Sequence, residues 1–141
     1  MRREGFLAMN EVDAVTCHCV SRVVDRSYKL GNKEKAVFVK MMRQYEDFCG
    51  VEVLSYCIMS NHFHLLVRVA KKEEGEIADE EFCRRLNVLY KPAEAKMVTD
   101  TLAKYRKNDA NKMARELKAR YTYRMGNVSE FMKSLKQKFS R

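Results

Sequence analysis

Two runs, Val53 to Met59 and His62 to Val69, are dense in β-branched, aromatic and aliphatic residues, and only Ser60-Asn61 separates them. Asn tolerates positive φ, so this pair reads as a tight turn and the whole stretch as a β-hairpin. A strand's two-residue period then assigns every side chain to a face. In the second strand His62, His64, Leu66 and Arg68 share one face, while Phe63, Leu65, Val67 and Val69 share the other. The second set is uniformly apolar and requires a helical layer to cover it. The first places two imidazoles on neighbouring same-face sites of a rigid strand. Such a pair can hold one divalent metal once other groups complete the shell. Taken alone, so short a motif fits two ordinary histidines near a turn at least as well.

Upstream, Asp13 to Val24 alternates well enough for a strand, with Val15, Cys17 and Cys19 opposing Thr16, His18 and Val20. Asn32 suits an N-cap for a helix running to Cys49, and Gly50 supplies its stop. Val37, Met41, Tyr45 and Phe48, joined by Phe38 and Met42, form an apolar stripe at three-to-four spacing. Strand, helix, strand, strand, with a right-handed crossover, is the first half of a ferredoxin-like β-α-β-β-α-β unit. The fold class is therefore α+β, with a core over residues 12–70.

Beyond a charged connection from Lys71 to Asp79, strand signals largely vanish, and residues 79–141 read as a helical segment of the same single domain. Glu80 to Tyr90, Ala93 to Arg106 (with Pro92 in the first turn) and Asp109 to about Tyr123 are expected helices. The third carries Met113, Leu117 and Tyr121 as its stripe. Gly126 interrupts the pattern, and Asn127 with Glu130 opens a fourth helix whose apolar stripe is Phe131, Leu135 and Phe139.

The chain carries 28 basic against 19 acidic residues, a net charge of +9, which makes a polyanion the natural partner. Arg22 and Arg26, at the polar exit of the first strand, are candidate phosphate contacts, and Lys133 and Lys136 on the last helix could track a nucleic-acid backbone. Each of these also suits a solvated surface. Five cysteines, an odd number without a C-x-x-C pair, argue against a disulfide framework and against a zinc ribbon. They read as small buried hydrophobes in a reducing compartment. No apolar run approaches a membrane span and the start has no signal-peptide core, so a cytoplasmic location is the expectation.

The longer string Tyr56-Cys57-Ile58-Met59-Ser60-Asn61-His62-Phe63-His64-Leu65-Leu66-Val67 resembles the signature of the HUH single-tyrosine transposases, above all their REP-associated branch. His62-Phe63-His64 is the HUH element itself. The likeness extends back to His18-Cys19-Val20-Ser21-Arg22 and forward to the stretch from Phe131 to Phe139; Ser60 stands where many relatives carry Pro. The resemblance implies a ferredoxin-like fold, a Mg²⁺ or Mn²⁺ ion at His62 and His64, and single-stranded or hairpin DNA as substrate. It also implies tyrosine attack on a phosphodiester, giving a 5′-phosphotyrosine and a free 3′-hydroxyl.

No counterpart of the family's tyrosine-bearing helix or of a fourth strand follows Phe139, so the expectation is a chain that stops short of the nucleophile. Tyr121 and Tyr123 are the in-chain candidates for it, although a helix tyrosine beside Met and Leu more often packs a core. Tyr56, in the strand before the turn, is not a candidate. Without a fourth strand the first becomes an edge able to pair with another chain, and a homodimer is expected. The alternative is a non-catalytic nucleic-acid-binding or regulatory module with the same fold.

Overall fold

The computed structural model describes residues 14–22, 31–59, 61–70 and 75–139. They fall into two compact units, one formed by residues 1–72 with 125–141 and the other by residues 73–124. The C-terminal helical segment thus divides, its last helix grouping with the strands and the preceding three forming a unit of their own.

The first unit contains β1 (Ala14–Arg22), α1 (Asn32–Cys49), β2 (Val51–Ile58), β3 (His62–Ala70) and α5 (Val128–Phe139). Its three strands form an antiparallel sheet in the order β1-β3-β2, so the hairpin's second strand is central. This is the order of a ferredoxin-like β-α-β-β unit. One face of the sheet carries Val51, Val53, Phe63, Leu65 and Val67, all buried. α1 covers it with Phe38, Met42, Phe48 and Cys49, and the Phe38 and Phe63 rings lie 4.7 Å apart at 53°. Of the stripe read from sequence, Phe38, Met42 and Phe48 are buried. Val37, also expected inside, is 52% exposed, because at about 100° per residue it lies off the line of Phe38 and Met42 that the sheet selects.

Glycines frame α1. Gly31, not Asn32, occupies the N-cap position, and its N–H donates to the Glu34 carboxylate at 3.0 Å. At the other end Gly50 takes φ 69° and its N–H closes on the Glu46 carbonyl. That left-handed residue turns the chain directly into β2, which starts at Val51 rather than Val53. Alanine has a Cβ that disfavours this conformation, so Gly50→Ala is expected to cost about 1 kcal/mol. Urea denaturation followed by circular dichroism measures it.

α5 opens as its sequence indicated, with the Asn127 side-chain oxygen accepting from the Glu130 N–H at 3.0 Å. It buries Phe131, Ser134 and Leu135 and packs on α1 and β1. In β1, Cys17 and Cys19 are half-buried on the helical side, and burial pushes the Cys19 thiol up, with Cys17 adding to it. Both serve as small packing groups on that side of the sheet. Among the described residues no helix is long and apolar enough to cross a membrane.

The second unit consists of α2 (Asp79–Leu89), α3 (Pro92–Lys107) and α4 (Asn111–Thr122). Phe82, Leu86, Ala95, Val98, Leu102, Ala114 and Leu117 are buried in it. Met113, read as part of a stripe, is 50% exposed, whereas Lys118 is only 2% exposed. The helix starts two residues later than the sequence suggests, since Asp109 takes φ 56° in the preceding turn.

Lys118 is satisfied by ion pairs to Asp79 at 2.7 Å and Glu76 at 2.8 Å and by donation to the Ile77 carbonyl. Arg106 meets the same two carboxylates at 2.9 Å. Hydrogen bonds from Arg106 and then Lys118 hold the Asp79 carboxyl down at about 2, below its ordinary 3.8. A depressed carboxylate stabilises the fold above its unfolded pKa and loses that contribution as pH falls through the folded one. Stability from this cluster is expected to decline between about pH 4 and pH 2, and Asp79→Asn should flatten that decline in melts recorded across the window.

Candidate functional site

The other face of the sheet carries the chemistry. Antiparallel pairing sets Val20 opposite His64, Arg22 opposite His62 and His18 opposite Leu66. Paired residues point to the same side, so His18, His62, His64 and Arg22 stand together on the face turned away from α1. His18, Val20 and Arg22 are exposed and His62 and His64 half-buried. All three histidines of the protein thus meet on one face. The ring centroids of His18 and His64 lie 5.5 Å apart and those of His62 and His64 5.2 Å apart.

Their nitrogens are differently engaged. His64 Nδ1 approaches His18 Nε2 at 3.4 Å. His62 Nδ1 lies 2.8 Å from the Asn61 side-chain oxygen, which can only accept, so a neutral His62 making this bond donates from Nδ1 and offers the Nε2 lone pair. Asn61 therefore does more than turn the hairpin, since it also selects the imidazole tautomer.

A bulge completes the face. The β2–β3 register shifts between Val53 and Ser55, so residues beyond it change sides. Cys57 consequently lies opposite His64 on the histidine face, and Tyr56 turns to the helical side, where Arg43 sits over its ring at 5.6 Å. Tyr56 is thereby kept from the imidazoles. Arg68, on the histidine face, is paired with Glu52, its Nε 3.1 Å from the carboxylate, so its charge is partly compensated.

Of the residues singled out from sequence, His62, His64 and Arg22 are brought together. Lys133 and Lys136 are exposed on α5, which packs against α1 in the helical layer, away from the histidine face. Arg26 lies outside the described residues. Tyr121 and Tyr123 belong to the second unit. The Tyr121 ring packs against Phe82 and Tyr90, at 6.0 and 5.4 Å between centroids, while Tyr123 is 58% exposed. His18 was missed as a site residue, although its strand position, facing away from Cys17 and Cys19, was legible.

Residues 11–78 match the family model described as "Transposase IS200 like". This segment is similar to the IS200-like transposases. The match spans β1, α1, β2 and β3, the elements that build the histidine face, and ends just before α2. The transposase family implies DNA as the partner, in keeping with the net charge of +9. No curated protein and no solved structure matches the chain.

The donor set on the face fits a divalent cation in part. Neutral imidazoles accept first-row metals such as Mn²⁺ more readily than Mg²⁺, which prefers oxygen. Among the described residues no group of three or more His, Cys, Asp or Glu side chains is gathered into a metal-binding set. A cation here would take imidazole ligands from the sheet and fill its other positions from water or substrate oxygens.

Proposed function

We propose that this chain binds single-stranded or hairpin DNA on the histidine face of its sheet, as the DNA-handling part of a single-tyrosine transposase. The observation that supports this reading is the HUH pair, His62 and His64, on the sheet face opposite α1, with Arg22 directly across from His62. In this reading the imidazoles hold Mg²⁺ or Mn²⁺, Asn61 orients His62, and Arg22 contacts a backbone phosphate. When bound, the cation supplies positive charge against the scissile phosphate.

The strand transfer itself belongs to a tyrosine hydroxyl. Its oxygen bonds to phosphorus as the 3′-oxygen departs, leaving a 5′-phosphotyrosine. Tyr121 is committed to aromatic packing, and Tyr123 is the more exposed of the two in-chain candidate hydroxyls. β1 is an edge of the described sheet, and pairing of two copies along it would give a homodimer. Light scattering at high concentration showing only monomer would count against that pairing.

The test is a titration of labelled hairpin-bearing single-stranded DNA, with and without Mn²⁺, at 50 and 200 mM salt. Binding is expected to be strengthened by Mn²⁺, and the His62→Ala/His64→Ala double variant is expected to lose the Mn²⁺-dependent part. Arg22→Ala should lower the slope of log affinity against log salt by about 0.7, the contribution of one phosphate contact on a single strand. A covalent adduct formed with Mn²⁺, mapped by mass spectrometry, would identify the nucleophile. Metal-independent binding with no adduct would instead mark a non-catalytic binding module. Failure to bind single-stranded DNA at all would sink the proposal.

A further inference from the structure

We propose that His18 is a metal ligand and that the cation on this face is held by His18 Nε2 together with His64 Nδ1. This deepens the reading above and rests on it. The geometry is the reason. Two nitrogens bound to one first-row metal at about 2.1 Å, with an angle between about 90° and 110°, lie about 3.0–3.4 Å apart. His18 Nε2 and His64 Nδ1 are separated by 3.4 Å. Their rings lie nearly parallel, 21° between planes, on adjacent antiparallel strands whose pairing holds both backbones in place.

His62 stands differently. Its Nδ1 is engaged with Asn61 at 2.8 Å, and its ring is turned by 64° from that of His64. Its free Nε2 can add to the pair or receive a hydrogen bond from a bound water. The first strand therefore contributes a ligand that no H-x-H pattern reveals, from a residue 46 positions away from His64 in sequence. Two imidazoles from two strands leave the remaining positions open, which suits a site that takes phosphate oxygens.

The decisive experiment uses the full chain and bare metal, without DNA. Long-range ¹H–¹⁵N spectra of the histidine rings are recorded during titration with Zn²⁺, a diamagnetic probe. Mn²⁺ affinity is measured by calorimetry for wild type and for His18→Ala, His18→Gln, His62→Ala and His64→Ala. Circular dichroism confirms that each variant folds. The expected result is a shift of the His18 Nε2 and His64 Nδ1 resonances, with His18→Ala and His18→Gln each weakening Mn²⁺ about tenfold or more.

Glutamine is included because it can still hydrogen-bond His64 but ligates poorly. Wild-type affinity in His18→Gln, with shifts confined to His62 and His64, would overturn the assignment and leave the HUH pair as the site. Absence of saturable metal binding by the wild type would overturn it too. The DNA titration then decides separately whether the nucleic-acid reading survives.

Discussion

Replacing Phe63 with alanine is expected to destabilise the sheet-containing unit by about 3–5 kcal/mol, the usual cost of deleting a fully buried aromatic ring. Phe63 is 1% exposed and packs its ring on Phe38 of α1. It lies on the central strand, opposite Ser21 in β1 and Ile58 in β2. The cavity would therefore open where α1 and all three strands meet. Domains of this size are stable by only about 5–15 kcal/mol, so much of the folded margin would go.

Phe63 also joins fold to site, because the backbone that carries it carries His62 and His64 on either side. Where the histidine face holds Mn²⁺ as proposed, that affinity is expected to fall along with stability. Phe63→Leu keeps most of the volume and should cost less than about 1.5 kcal/mol while preserving metal binding. Urea titration of the three proteins checks this. A loss under about 1 kcal/mol for the alanine variant would show that the hydrophobe between the histidines is not the anchor described here.

The second large effect is expected in the helical unit, where Lys118→Ala should cost about 3 kcal/mol. Several contributions combine. The substitution empties space beside Phe82, whose ring centre lies 5.9 Å from the ammonium, and removes the donor from the Ile77 carbonyl. It also takes one cation from Asp79 and Glu76. Those carboxylates are about a third exposed and keep Arg106, so the electrostatic loss is smaller than for a sealed ion pair.

Lys118→Met should recover roughly 1 kcal/mol of the packing while leaving the carbonyl unpaired. Thermal and urea unfolding of both variants measures the difference. If alanine and wild type unfold alike, the cluster contributes nothing and the buried ammonium is only tolerated.

Much of this was legible in the order of residues. The strict alternation from His62 to Val69 determined which side chains enter the core and which stand beside one another, since a strand has only two faces. Gly50 marked the end of the helix because its left-handed φ is costly for other residues. The hydrogen-bonding side chain of Asn127 marked the start of the last helix. The family signature followed from the same contiguous string, and residues 11–78 bear it out.

What sequence could not supply was every relation set by pairing over distance. Which members of α1's stripe are buried, Phe38, Met42 and Phe48 but not Val37, was chosen by the sheet beneath it and not by periodicity alone. Nothing local marks Lys118 for burial; the fold brings Glu76 and Asp79 to it, which offsets the cost of burying an ammonium. The bulge after Val53 moved Cys57 beside His64, and the β1–β3 register placed His18 against the histidine strand. Local preference determined the elements. Only the tertiary register, a sum of many weak contacts between distant segments, decided that three histidines share one face.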